Sequence, residues 1–158
     1  MKKILLVLIF LWTQGAALSL DIIPPYPAPG AVGLDSGFYG ESQGNINLRI
    51  GKNSGESARL YAEIDGPLTS PEGYQLPADA LQWQIYYWTG QESGTPRPGI
   101  SAGFDSWVPY RRSPAEVLQI FDNVSTIDQL QLGTTVRRIP SVQPEGVYTT
   151  RIRFTLTP

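Results

Sequence analysis

Apolar and polar residues alternate with a period of two in several separate segments of this chain. The last segment shows the pattern best: Tyr148, Thr150, Ile152, Phe154 and Leu156 share one face, and Thr149, Arg151, Arg153 and Thr155 the other. That is the signature of a half-buried antiparallel strand. Residues 45–50 place Ile46, Leu48 and Ile50 on one face, and residues 58–64 do the same with Leu60, Ala62 and Ile64. Between them lies Gly51-Lys52-Asn53-Ser54-Gly55, turn chemistry that predicts a hairpin.

Residues 81–88, Leu-Gln-Trp-Gln-Ile-Tyr-Tyr-Trp, form the most aromatic stretch and predict a long strand. Strict alternation sends Leu81, Trp83, Ile85 and Tyr87 to the core and Gln82, Gln84, Tyr86 and Trp88 to the other face. Residues 89–106 are rich in Gly and Pro and predict a long surface loop. Residues 113–121 fit a strand or a short helix, because Ser113 and Glu116 have capping-box spacing; the strand is the preferred reading. Residues 127–139 predict a strand with a bulge or bend at Gly133. About seven such strands, with turns between them and no sustained helical period, predict an all-β fold, an antiparallel immunoglobulin-like β-sandwich.

One run breaks the alternation. Lys2 and Lys3 precede nine apolar residues, Ile4 to Trp12, and then small and polar residues up to Ser19. This is the layout of a secretory signal peptide. Nine residues fall well short of the roughly 20 a membrane-crossing helix needs. Cleavage after Ala17 and cleavage after Ser19 both satisfy the small-residue rule. The expected organisation is therefore a signal peptide at 1–19, a Pro-rich extended segment at 20–33 and the β-sandwich at 34–158. The expected location is secreted, periplasmic or at the cell surface, with no transmembrane anchor.

Charge and composition narrow the chemistry. Without Lys2 and Lys3, ten basic residues face fourteen acidic ones, a net charge of about −4 that argues against a nucleic-acid partner. The chain has no Cys and no His, so thiol chemistry, Ser-His-Asp catalysis and the usual zinc, copper and haem ligands are all missing. No Gly-rich nucleotide cradle and no EF-hand loop occurs. Carboxylates remain, and Asp65, Glu72, Asp79 and Asp105 fall in or near loops, but nothing selects a pair of the kind glycosidases use. The expectation is a protein that is not an enzyme, with no cofactor and no metal.

Two features suit binding. Tyr86 and Trp88, joined by Trp107 and Tyr110 if the loop folds back, would form an aromatic platform for a sugar ring or a protein partner. The competing reading has these rings cover the sandwich edge or lie beneath the loop. The row Thr149, Arg151, Arg153 and Thr155 would dock an acidic partner, or else pair with neighbouring carboxylates as an ordinary solvated face.

The closing residues Pro144-Glu145-Gly146-Val147-Tyr148-Thr149-Thr150-Arg151-Ile152-Arg153-Phe154-Thr155-Leu156 resemble the last strand of small bacterial surface β-sandwiches, among them spore-coat-U-like proteins, archaic pilus subunits and the WxL group. The resemblance covers that strand and its approach; the W-x-L tripeptide and the cysteines common in pilus-type subunits are absent. It implies a non-enzymatic role at the surface or in an appendage. In pilus-type subunits a strand passes between neighbours, and Leu18, Leu20 and Ile22 have the alternation of a short interaction strand that Pro24 would end. The expected partner is a protein or a second copy, with polysaccharide as the alternative.

Overall fold

The computed structural model describes residues 3–13, 18–24, 30–32, 44–53, 55–88, 96–137, 139, 142–144 and 146–158. These form β1 (Lys3–Thr13), β2 (Ser19–Ile23), β3 (Gly30–Val32), β4 (Gly44–Gly51), β5 (Ala58–Ile64), β6 (Leu81–Trp88) and β7 (Gly99–Ile100). A 3-10 turn, η1 (Ala102–Phe104), follows, and then β8 (Val108–Pro109), β9 (Ala115–Ile120), β10 (Thr126–Val136) and β11 (Val147–Thr157). One sheet, A, has the order β3-β1-β11-β5-β9-β7, and the other, B, the order β2-β4-β10-β6-β8. The fold is an all-β sandwich, as expected. Among the described residues it has eleven strands rather than about seven, because an eleven-residue strand arises in the expected leader and short strands in the expected lead-in and loops.

The core is built by the alternation. Leu60, Leu118, Ile152, Phe154 and Leu156 from sheet A meet Ile46, Leu48, Trp83, Leu130 and Leu132 from sheet B, all essentially inaccessible to water. Each such side chain contributes about 1.5–3 kcal/mol of transfer free energy. Beside Trp83 the backbone comes very close: a Cβ at Gly103 in η1 would overlap the indole ring. At the start of β11 the Tyr148 hydroxyl donates to Pro144 O at 2.6 Å and accepts from Gln143 Nε2 at 2.8 Å, tying the strand to its own approach.

Several expectations need correction. Residues 45–50 and 58–64 do not make a hairpin, since β4 lies in sheet B and β5 in sheet A. The turn between them crosses the sandwich, with Gly55 at φ 87°. At that crossing the buried Lys52 ammonium donates to the carbonyls of Asn53, Glu56 and Asp122. The 89–106 loop contains β7, paired with β9, and η1. Residues 115–120 are a strand, and Val117 is its bulge residue between the pairs Leu60 with Leu118 and Tyr61 with Glu116. That bulge puts Val117 and Leu118 both in the core, which is why neither period fits there. β10 continues through Gly133, which pairs with Asn45 and Gln84, and the nearest register shift in its ladder with β6 falls between Gln131 and Leu132.

The N-terminal segments join the sheets. Residues 3–13, the apolar run that reads as a leader, lie as β1 parallel to β11, in register from Ile4 opposite Val147 to Thr13 opposite Leu156. Every other pairing between the named strands is antiparallel. An uninterrupted Ile, Leu, Val, Phe and Trp run has high strand propensity, so the attached segment completes the sheet. In the expected Pro-rich segment, β2 forms ahead of Pro24 and pairs with β4.

Candidate functional site

Of the four rings expected to form an aromatic platform, Tyr86 and Trp107 meet, and a bulge redirects the neighbouring strand residues. Between β6 and β10 the register steps from Leu132 opposite Ile85 to Gln131 opposite Tyr87, leaving Tyr86 as the extra residue. Beyond that step the phase reverses. Trp88, expected to point outward, stands opposite the buried Leu130 and packs against the core, while Tyr87, expected in the core, is 36% exposed. Tyr86 is 43% exposed, and its ring lies over Gly133, where a Cβ would overlap it. Glycine at 133 thus supplies the seat for the tyrosine ring.

Trp107 joins Tyr86 as expected. The extension of β8, which pairs Val108 with Trp83, brings the Trp107 ring edge-on to Tyr86 with centroids 5.6 Å apart. The Arg137 guanidinium lies over the same indole, 5.0 Å from its centroid. Burial raises the Tyr86 pKa and the nearby Arg137 charge partly offsets this, as expected where a cation sits close to a phenol. Arg137 Nε is buried and has no hydrogen-bond partner. Sequence reasoning missed both Arg137 and Tyr87.

Trp88 and Tyr110 do not belong to this surface. Trp88 stacks edge-on with Phe104 at 5.0 Å and donates Nε1–H to Pro96 O at 3.2 Å, which places it beneath the returning loop. Arg97 lies over Phe104 at 4.6 Å and forms a two-pronged pair with Asp105. Tyr110 is 2% exposed beside Trp83, with centroids 6.5 Å apart. Its hydroxyl faces that of Thr134, neither reaches hydrogen-bond geometry, and burial pushes the Tyr110 pKa far up. It plugs the sandwich rather than lining a binding face.

A second candidate is the edge of β11. Thr149 and Thr69 exchange backbone hydrogen bonds at 3.0 Å each way, and Asp65 N–H donates to Arg151 O at 3.2 Å. Backbone groups of the odd-numbered residues therefore face the β5 side. Those of Tyr148, Thr150, Ile152, Phe154 and Leu156 face β1, because successive residues of a strand direct their N–H and C=O to opposite sides. Of the residues expected in an interaction strand, Leu20 and Ile22 lie in β2, paired with β4, Leu20 buried and Ile22 half-buried, and Leu18 is half-buried just before it.

The basic row of β11 is ion-paired. Arg153 pairs with Glu63 at 2.6 Å and Asp65 at 3.7 Å, and Arg151 with Asp65 at 3.7 Å, which makes the basic row an ion-paired sheet face. Asp65 and Asp105 are both engaged by arginines. Among the described residues no cluster of three His, Cys, Asp or Glu is arranged to hold a metal, and no helix is long and apolar enough to cross a membrane. Compared with known proteins, the chain matches no protein-family model and no curated sequence, so its function must be argued from this geometry.

Proposed function

We propose that this chain is a non-enzymatic exported protein of the bacterial envelope or cell surface that associates, with a protein partner or a second copy, through the edge of β11. One observation carries the reading. The strand that covers this edge over ten paired positions is residues 3–13, the same segment whose Lys-Lys-apolar pattern marks it for removal on export.

Removal of that segment would leave β11 held by β5 on one side only. An eleven-residue edge with five residues' backbone groups unpaired is a template for strand addition. A strand that pairs there would restore the coverage that β1 gives. β2 would become the start of the exported chain, and its pairing with β4 keeps it in its own domain.

Intact-mass analysis and sedimentation of the exported protein test this reading. An N-terminus at Leu18 or Leu20, with association that grows with concentration, is the expected result. A chain that keeps Met1, or a processed chain that stays monomeric at high concentration and binds no envelope fraction, would overturn it.

A further inference from the structure

We propose that the outer face of sheet B around Arg137, Trp107 and Tyr87 is a binding site for an acidic polysaccharide, with Arg137 taking a sugar carboxylate and the aromatic rings stacking on the sugar. This site is separate from the β11 edge and does not depend on it.

Four arginines, Arg59, Arg97, Arg151 and Arg153, pair with carboxylates. Among the described residues no carboxylate pairs with Arg137, and its Nε is buried without a hydrogen bond. The indole of Trp107 beneath it restricts the guanidinium, so less freedom is lost when it forms two parallel hydrogen bonds to a carboxylate.

The composition of the face also suits a sugar. Tyr86 and Tyr87 are exposed side by side, because the bulge breaks the alternation at this point, and Trp107 is half-buried next to them. Half-buried Gln84 and Gln131, opposite Gly133 and Tyr87 in the ladder, add amide donors and acceptors. Flat rings interleaved with amides suit a sugar, which offers an apolar C–H face and a rim of hydroxyls. An acidic peptide would need only the cation.

Titration of the full chain with oligogalacturonate tests the proposal, using the fully methyl-esterified oligomer and poly-glutamate as comparisons. The expected result is saturable binding of the oligogalacturonate that weakens as salt rises. About tenfold or greater loss is expected on esterification, in Arg137→Gln and with poly-glutamate. Tyr87→Ala, at an exposed position that the core does not need, should weaken binding severalfold and provides a test even if the arginine variant fails to fold. No binding by the unaltered chain, equal binding of the esterified oligomer, or equal binding of poly-glutamate would each overturn the proposal, the last in favour of an acidic peptide.

Discussion

The ring of Tyr86 rests on the bare Cα of Gly133, in the space a side chain at 133 would occupy. This contact links the bulge in β6 to the face beside it. Gly133→Ala should push the tyrosine off its seat and away from Trp107. Tyr86 is partly exposed and can swing into solvent, so the cost should be modest, about 1 kcal/mol from overpacking. Gly103→Ala, where the obstacle is the buried Trp83 ring, should cost more, about 2–3 kcal/mol. Chemical denaturation of both variants checks the order, and equal losses would contradict it.

Tyr110 gives a prediction with a definite sign. Its hydroxyl is buried without a hydrogen bond, so Tyr110→Phe should leave stability at pH 7 unchanged or raise it by up to about 1 kcal/mol. Burial raises the folded-state pKa far above the ordinary tyrosine value. The phenol therefore contributes its full share of stability below about pH 10. As pH rises further the unfolded chain ionises while the folded one does not, and that share is lost by up to about 1.4 kcal/mol per pH unit. Thermal melts between pH 9 and 12 should show the phenylalanine variant gaining on the parent above pH 10. Parallel curves would refute this.

Lys52 holds the turn that crosses from sheet B to sheet A. Its ammonium binds three carbonyls, and the same region is tied to the β9–β10 connection by Lys52 N–H to Ser125 O and Gly55 N–H to Asp122 O. Lys52→Met keeps most of the aliphatic stem and removes the charge-assisted bonds. A loss of about 1.5–3 kcal/mol is expected by denaturant titration, and a loss below about 0.5 kcal/mol would show that water replaces the amine freely.

The strands with unbroken alternation were legible in the sequence, β11 above all, where each expected core residue from Tyr148 to Leu156 faces inward. What could not be read was long-range pairing. Two alternating segments beside a glycine turn look the same whether they pair together or separate into different sheets, and β4 and β5 separate. Bulges hide for a similar reason. One unpaired residue reverses every later side chain, so Tyr87 and Trp88 exchanged their expected faces at Tyr86. Tyr110 looked like a surface ring because it is buried beside Trp83, which lies on β6 on the far side of the long loop in sequence. Trp107 could be placed with the aromatic strand in advance because both flank the same loop, whereas Arg137, just past the end of β10, comes from a distant part of the chain.

The most direct measurement for the strand-edge reading is residue-resolved amide hydrogen exchange on the processed protein, dilute and concentrated. The amides of Thr149, Arg151, Arg153 and Thr155, which face β5, should be protected in both conditions. Those of Tyr148, Thr150, Ile152, Phe154 and Leu156 should exchange quickly when dilute and become protected as concentration or an added partner rises. Strong protection of this second set in the dilute processed monomer, unchanged by concentration or partner, would contradict the proposal that β11 offers an open edge.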